Sequence, residues 1–547
     1  MSLEPRADLG VPELTARVVR ASFPKGTLAV RIREALGPLF GDESFAEAFP
    51  ARGRPAVSPG ALALVSVLQY AEGLTDRQAA DRVRARMDWK FLLGLELDDP
   101  GFDFTVLGDF RARLIEHGLE EKVLDLVLSR CSELGLLRAG GRQRTDSTHV
   151  LASVRTLNRM EFVGETLRAA LEALAAAAPQ WLSTLATADW VTRYGARIDA
   201  YRFPKGDNVR AEWAGQVGRD GFAVLQAVDA PAAPGWLGEV PAVQVLRRAW
   251  GEQYHREGEG VRRREGKDLP PGRERLASPY DLDARYGTKR GSGWCGHKTH
   301  LSEVCEPDAP HLITHVATTD ATVPDSQMTA AICGDLAAKN LAPGRGYLDS
   351  GYLSAALVVT ALASWGIALI GPLLADTSAQ SRAGAGYARA DFSIDYCTQT
   401  VTCPQGRTSA SWSPCTQRGK DAIVVHFSAA SCGPCPARAL CTSGKRRQLT
   451  LPPRDLAEAQ AAARAAEKTI LFQADYARRA GVEGTIHQAA SHGARRARYR
   501  GLPKTRLDHV YMACALNLLR LHAYWTGTPL DRRRTSHLAR LELSLAA

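Results

Sequence analysis

The chain has 547 residues, of which 45% are hydrophobic and 23% are charged, the ordinary proportions of a globular protein with two to four domains. Its formal net charge of +10 favours a polyanionic partner but does not identify one. The first ten residues contain no apolar run, so we expect no secretory signal and a cytoplasmic protein.

Residues 1–138 are predicted to form an all-α domain. Ser58-Pro59 is a typical helix start, and Gly73 interrupts the apolar run that follows. Thr75 then begins a second helix, predicted to continue to about residue 93, and a third lies around residues 110–114.

The second of these helices is rich in arginine. A helix, a short glycine-containing turn and a basic helix fit a helix-turn-helix DNA reader, which would use Arg82 and Arg86 to contact DNA. The alternative is an ordinary amphipathic hairpin with a solvated charged face, and periodicity alone favours that interpretation.

Strand patterns begin at residue 139. The threonine and valine content of the segment 139–156 predicts a strand that contains Asp146. Residues 157–277 are predicted to be a helical insertion with a linker, and the Gly-, Pro- and charge-rich stretch 256–293 to be a mobile loop. Further strands are predicted at 297–304, at 311–317 and immediately before Asp349.

One stretch, from Gly351 to Ala375, contains no charged residue. A membrane span needs about 20 predominantly apolar residues, whereas this stretch includes several Ser, Thr and Gly residues and a Gly-Pro pair. We therefore interpret it as a buried helix over about 354–365 and a buried strand over about 367–370, and we expect no membrane association.

Cysteines concentrate in the segment 391–453. Cys432-x2-Cys435-x5-Cys441 supplies three thiolates, and Cys403 in a Cys-Pro-x-Gly turn supplies a fourth. In a reducing compartment such a cluster predicts a structural zinc site with four thiolates. Free thiols, or a site that has lost its metal, are the alternative, and either Cys397 or Cys415 could replace Cys403.

Three acids stand out for chemistry. Asp146 and Asp349 each lie in or at the end of an apolar strand, although either alone also fits an aspartate that caps the next turn. Glu483 is the only acid between residues 476 and 506, among eight Arg and Lys residues. Carboxylates suit Mg²⁺ or Mn²⁺, and phosphodiester cleavage with two metal ions needs several of them.

At these residues the sequence resembles DDE transposases of bacterial insertion sequences, in the subgroup with a Cys-rich insert before the catalytic Glu. The spacing Tyr476-x2-Arg479-x3-Glu483 is similar to the family's signature around its third acid, and TDST and LDSGY are similar to its first two acid blocks. The run 278–306 and the basic segment ending in FRARL also resemble conserved parts of that family. The resemblance spans roughly residues 15–525.

The resemblance implies a fold class and a catalytic set. The expected fold is α/β: a ribonuclease-H-like core from residues 139–156, 278–390 and 454–525, with helical and Cys-rich insertions, an all-α N-terminal DNA-binding domain and a basic tail at 526–547. Asp146 and Asp349 would lie on strands and Glu483 on a helix, and together they would hold the divalent ions.

The resemblance also implies contacts to DNA. Tyr476 and Arg479 would contact phosphates near the cleaved end. Family members with the fuller signature carry a Lys where this chain has Ala490, so Arg495 or Arg496 would have to replace that contact. Lys298, on a predicted strand, fits a phosphate contact or core packing equally well.

The leading hypothesis is therefore a transposase. It would hydrolyse the ends of a mobile element and join each 3′-OH to target DNA, acting as a homodimer on the element's terminal repeats, at the nucleoid. The alternatives are a non-catalytic zinc-containing DNA-binding protein, and a related metal-dependent nuclease without strand transfer.

Overall fold

The computed structural model describes residues 2–6, 9–258, 260–289, 291–376 and 378–528. The predicted basic tail at 526–547 lies, beyond residue 528, outside the described residues. None of the described helices combines the length and the apolar character needed to cross a bilayer.

The N-terminal region contains seven α-helices among its described residues. Its helices are α1 (Glu13–Ser22), α2 (Leu28–Leu36), α3 (Pro59–Ala71), α4 (Asp76–Ala85), α5 (Met87–Leu93), α6 (Thr105–Glu116) and α7 (Lys122–Glu133). The predicted helix starts are confirmed: Ser58 accepts a hydrogen bond from the Ala61 amide, and Thr75 forms a reciprocal capping box with Gln78.

The single basic helix predicted over residues 75–93 is wrong. The helix is interrupted at Arg86, whose backbone is extended, so that α4 ends before this residue and α5 begins after it. The Arg86 guanidinium pairs with Glu72 on one side and with Asp88 on the other. These ion pairs stabilise a corner where helix propensity alone predicts continuation.

The first strand and the helical insertion follow. They comprise β1 (Arg142–Leu151), α8 (Arg159–Ala177), α9 (Pro179–Ser183), α10 (Ala188–Tyr194), α11 (Asp207–Val228), α12 (Pro241–Gln253), β2 (Tyr254–Glu257) and β3 (Gly260–Arg263). The insertion has its own hydrophobic core, centred on buried side chains such as Trp250 and Leu167.

The remaining core elements are mostly strands. They are β4 (Arg285–Lys289), β5 (Ser292–Val304), β6 (Ile313–Asp320), α13 (Asp325–Ala338), β7 (Arg345–Tyr347), α14 (Ala355–Trp365) and β8 (Ala368–Ile370). The prediction of a mobile loop at 256–293 is wrong in part, because β2 and β3 pair as a hairpin and β4 joins the main sheet. In the helix predicted to be buried, α14, only Ala361 is fully buried.

The Cys-rich segment and the C-terminal helices complete the chain. They are α15 (Ala379–Ala383), β9 (Ser393–Asp395), β10 (Thr400–Thr402), β11 (Ser411–Gln417), β12 (Lys420–His426), α16 (Ala429–Cys432), α17 (Arg438–Cys441), β13 (Gln448–Leu451), α18 (Arg454–Glu467), α19 (Ile470–Tyr476), α20 (Val482–Ser491) and α21 (Leu502–Thr526). The Cys-rich segment has a small hydrophobic core of its own.

The central sheet is mixed, and β1 lies in its middle. Its order is β4-β5-β1-β7-β8. The first residues of β5, up to Gly296, pair with β4, and the residues from His297 onward pair with β6. β5 runs antiparallel to β1 and to β6, whereas β7 and β8 run parallel to β1. Asp146 and the end of β7 therefore lie on adjacent strands.

Most buried side chains of the N-terminal helices belong to the same hydrophobic cluster as β5, β6 and α21, the long C-terminal helix. A small separate cluster of Val19, Val30 and Phe91 joins α1, α2 and α5. At this junction the hydroxyl of Tyr70 on α3 donates a hydrogen bond to the buried Asp508 carboxylate on α21. The predicted N-terminal domain is thus fixed against the sheet region.

Candidate active site

Asp146 occupies the middle of the central strand β1, opposite Leu301 of β5. Its side chain is only 15% exposed, and one carboxylate oxygen accepts a hydrogen bond from the Ser147 amide at 2.7 Å. Burial raises the pKa of Asp146, the charge of Arg479 opposes that rise, and the negative charge of Asp349 adds to it. Asp146 and Asp349 are therefore close enough to interact electrostatically.

Asp349 lies two residues after the end of β7, in a tight turn. Its Oδ1 accepts a hydrogen bond from the Gly351 amide at 2.8 Å, which is the turn-capping role that its sequence position also fits. Its Oδ2 lies 3.8 Å from the Arg479 guanidinium, and the side chain is 35% exposed. One oxygen therefore shapes the turn, and the other faces Asp146 across Arg479.

Arg479 joins the two aspartates. It lies in the short 3-10 segment Ala477–Gly481 that connects α19 to α20, and its Nη2 is 2.8 Å from Asp146 Oδ2. The preceding Tyr476 anchors this segment, since its hydroxyl donates a hydrogen bond to the Leu348 carbonyl at 3.1 Å. Both residues of the predicted DNA-contacting pair thus lie against the two acid blocks.

Glu483 stands apart from this pair. It lies in the first turn of α20, a helix that packs against β1, and its side chain is exposed. Within the described ranges, no group of three or more His, Cys, Asp or Glu residues is arranged so that it could hold a metal ion. The structure brings together two of the three predicted acids, with a cation between them.

A buried ion network holds α20 against the sheet. Glu303 on β5 is fully buried and accepts hydrogen bonds from Arg144 of β1, Arg520 of α21 and Thr485 of α20. Arg144 also donates a hydrogen bond to the Arg478 carbonyl at 2.8 Å. The network therefore fixes the backbone on both sides of Glu483.

The predicted phosphate contacts differ in how much of their charge is available. Arg495 and Arg496 are exposed beside the end of β1, where the Arg495 side chain approaches Thr148 at 3.2 Å. Lys298 points inward, and its ammonium donates hydrogen bonds to the Val323 carbonyl and to Asp325. Of the two N-terminal arginines, Arg82 is exposed, whereas Arg86 is held in the ion pairs described above.

Asp325 is the acid that the sequence analysis missed. It opens α13 and accepts hydrogen bonds from Lys298 at 2.9 Å and from Ser147, the neighbour of Asp146, at 3.2 Å. Burial acts to raise its pKa, but the bond from Lys298 prevails and holds the pKa below its ordinary value. An acid in the first helical turn after Pro324 indicates only the start of a helix, and no local pattern predicts its contacts with Lys298 and Ser147.

The Cys-rich segment forms a second candidate site. Cys403, Cys432, Cys435 and Cys441 all line one small cavity of about 30 Å³, together with Tyr387 and Arg447 among others. The other three thiols act electrostatically on Cys441, whose pKa is raised chiefly by burial.

The two remaining cysteines of the segment lie elsewhere. Cys397 is exposed and accepts a long hydrogen bond of 3.5 Å from Arg454, and Cys415 lies on β11. The structure thus brings together the four cysteines named from spacing and leaves out both substitutes for Cys403.

Two segments of the chain match known family models. Residues 402–522 match the Transposase DDE domain, and residues 17–113 match the Transposase domain (DUF772). The first segment contains Glu483, Arg479 and the four clustered cysteines, and the second contains Arg82 and Arg86. No curated protein and no solved structure matches the chain significantly. Both matches are to transposase domains, and together they support a DDE transposase of insertion-sequence type.

Proposed function

We propose that this chain cuts the ends of an insertion sequence and joins the freed 3′-OH ends to target DNA, with Asp146, Asp349 and Glu483 as the catalytic acids. The observation that carries the proposal is the convergence of Asp146 and Asp349, 203 positions apart in the chain, on the single cation of Arg479. Two carboxylates held together in this way, beside a helix that carries a third, form a centre built for positive charge.

The sheet supports a ribonuclease-H-like core. Three antiparallel strands, β6, β5 and β1, are followed by the parallel strands β7 and β8, in the spatial order third-second-first-fourth-fifth when β4 is set aside. The first acid lies on the central strand, the second directly after the adjacent parallel strand and the third on a C-terminal helix. This is the placement that the resemblance implies.

The carboxylates suit Mg²⁺ or Mn²⁺, which prefer oxygen ligands. When bound, such ions supply activation of the attacking oxygen and neutralisation of the leaving oxygen. Asp146 and Asp349 would hold them on the strand side and Glu483 on the helix side. Because Arg479 now pairs with both aspartates, we infer that its side chain turns away from them when divalent ions enter.

Arg479 would then take its second role. A guanidinium released from two carboxylates suits bidentate binding of a DNA phosphate, the contact that the signature implies. Tyr476 would keep the segment of Arg479 against the Asp349 turn through its bond to Leu348. The exposed Arg495 and Arg496 are proposed to contact the phosphate backbone of the same DNA strand. They would take over the contact made by the family's Lys, whose position is occupied by Ala490 in this chain.

The N-terminal helices would bind the terminal repeats. Arg82 on α4 is exposed and suits a phosphate or base contact. We give Arg86 a lesser role, because its charge is shared between Glu72 and Asp88. Lys298 is likewise proposed only as an indirect contributor. We propose a homodimer on DNA, acting at the nucleoid, as the family's chemistry on paired element ends implies.

The Cys-rich segment is proposed to hold a structural zinc ion. Cys403, Cys432, Cys435 and Cys441 line one cavity too small for an organic ligand, and four thiolates leave no open position for catalysis. As the side chains stand, no three of these groups are arranged for a metal ion, so binding requires the thiols to turn toward one another. The zinc would fix this insert between β8 and α18.

The test uses the full chain with DNA that carries the flanking element ends, in Mg²⁺. We expect 3′-end cleavage and joined products from the native protein, and neither from Asp146→Asn, Asp349→Asn or Glu483→Gln, with DNA binding retained in all three. Asp229→Asn, which changes an exposed ion pair in the insertion, is the matched control and should cut normally.

Each alternative gives its own result. Binding without metal-dependent cleavage by the native protein would indicate a DNA-binding protein, and cleavage without joined products would indicate a nuclease. Cleavage that persists in all three variants would overturn the catalytic assignment.

A further inference from the structure

Asp325 lies behind the pair of aspartates, on the other face of β1. Adjacent residues of a strand point to opposite faces, so Asp146 and Ser147 face away from each other. Asp146 meets Arg479 of the α19–α20 connection, whereas Ser147 donates a hydrogen bond to Asp325 on α13 at 3.2 Å. The second carboxylate oxygen of Asp325 accepts the bond from Lys298 at 2.9 Å.

The same face of α13 also contacts the Asp349 turn. A Cβ at Gly351 would lie 3.0 Å from Asp349 Oδ1 and 3.7 Å from Asp325 Oδ2, so the turn at Gly351 lies close to both carboxylates. One helical turn after Asp325, Thr329 donates a hydrogen bond to the Tyr352 carbonyl at 2.7 Å. The first part of helix α13 thus contacts the turn that contains Asp349 through both Asp325 and Thr329.

A metal-ligand role does not suit Asp325. Both of its oxygens already accept hydrogen bonds from side chains, and its contacts lie on the face of β1 opposite to Asp146. Its partners instead belong to three separate strands or turns: Ser147 on β1, Lys298 on β5 and the turn after β7.

We propose that Asp325 is a positioning residue, which fixes Ser147 and the Asp349 turn relative to each other and so sets the geometry of Asp146 and Asp349. This inference rests on the proposed function and identifies a contribution that neither the acid motifs nor the family signature assigns. Residues that orient catalytic carboxylates from behind typically change activity by about 10- to 100-fold when they are replaced.

The experiment compares Asp325→Asn with Asp335→Asn. Asp335 lies on the same helix and pairs with His315 at 3.1 Å, away from the turn, which makes it the matched control. The first measurement is hydrogen exchange of the Gly351 and Tyr352 amides, which bond to Asp349 Oδ1 and to the Asp349 carbonyl. We expect exchange there to rise about tenfold in Asp325→Asn and to stay unchanged in the control.

The second measurement is the single-turnover cleavage rate with saturating DNA. We expect Asp325→Asn to cut about 10- to 100-fold more slowly than the native protein, with DNA affinity within about twofold of the native value. The control should match the native protein in both. Ser147→Ala removes only one of the bonds to Asp325 and should show the same changes to a smaller extent, which covers the case in which Asp325→Asn fails to fold.

The two measurements distinguish a failure of the inference about Asp325 from a failure of the proposed function. Exchange at Gly351 and Tyr352 that stays native in both Asp325→Asn and Ser147→Ala overturns the inference, whether or not the protein cuts DNA. Increased exchange with a native cleavage rate in an active protein also overturns it. If the native protein does not cut DNA but exchange rises as expected, the inference about the turn stands and the proposed function fails.

Discussion

The guanidinium of Arg479 lies 2.8 Å from the Asp146 carboxylate, and both side chains are largely shielded from solvent. The same guanidinium reaches Asp349 at 3.8 Å. The hydrogen bond to Asp146 joins two charged groups and contributes about 1.5–3 kcal/mol, and the longer contact to Asp349 adds a weaker ionic attraction. A divalent ion that used both aspartates would therefore compete with Arg479 for them.

This competition predicts an effect of Arg479→Ala on metal affinity. With the guanidinium removed, the two aspartates lose their resident cation, and Mn²⁺ should bind about tenfold more tightly, which corresponds to about 1.4 kcal/mol. Isothermal titration with Mn²⁺ in the absence of DNA measures this directly. Cleavage should nevertheless fall, because the proposed phosphate contact is lost.

The control for that prediction is the neighbouring Arg478→Ala. Arg478 pairs with Asp475 at 3.5 Å and makes no ion pair with Asp146 or Asp349, so its loss should leave Mn²⁺ affinity unchanged. Weaker Mn²⁺ binding in Arg479→Ala would show that Arg479 assists the ions and does not compete with them.

The cysteine cavity predicts the metal content of the purified protein. We expect about one equivalent of zinc, since four thiolates form one closed tetrahedral site. Cys435→Ser should lower this content and destabilise the Cys-rich segment, whereas Cys415→Ser, which lies outside the cavity, should leave both unchanged. Elemental analysis and thermal unfolding provide the measurements, and less than about half an equivalent in the native protein would contradict the site.

The network around Glu303 predicts a large loss of stability. Arg520→Met removes one of the two cations that compensate a fully buried carboxylate, which should lower the free energy of unfolding by about 3 kcal/mol. Arg247→Met, which breaks an exposed ion pair with Asp229, should cost less than about 1 kcal/mol. Urea denaturation of both variants measures the difference, and equal losses would show that the buried network contributes no more than a surface pair.

His509 predicts a dependence of stability on pH. The side chain is buried on α21 and forms a 2.8 Å hydrogen bond with Thr318, and burial lowers its pKa from 6.5 to about 4. The unfolded chain therefore binds a proton below about pH 6.5 that the folded chain does not bind until about pH 4. The stability that His509 contributes is fully present above about pH 6.5. About 3 kcal/mol of the free energy of unfolding is lost as the pH falls from there through about pH 4.

The measurement is the free energy of unfolding between pH 7 and pH 4. His509→Gln cannot titrate and can still hydrogen-bond Thr318, so its stability should fall less steeply over this interval. His487→Gln, on the exposed face of α20, is the control and should follow the native curve. Parallel curves for the native protein and His509→Gln would contradict the prediction.

Local signals in the sequence determined much of the secondary structure. Helix starts at Ser58-Pro59 and Thr75 depend on a side chain and an amide three residues later, so the residues themselves specify them. The strand that carries Asp146 and the helix that carries Glu483 were likewise predictable from local pattern. The spacing of the clustered cysteines also named the four that the fold brings together.

The tertiary structure decided which of those side chains meet. Arg479 bonds to a residue 333 positions away and Lys298 to one 27 positions away, and no local pattern encodes such pairings. Contacts of this kind depend on the order of the strands, which follows from how the buried faces pack. The family resemblance in the sequence named Asp146, Asp349 and Glu483 together. Because the contacts of Arg479 with the first two acids, and of Asp325 behind them, are long-range, only the fold showed them.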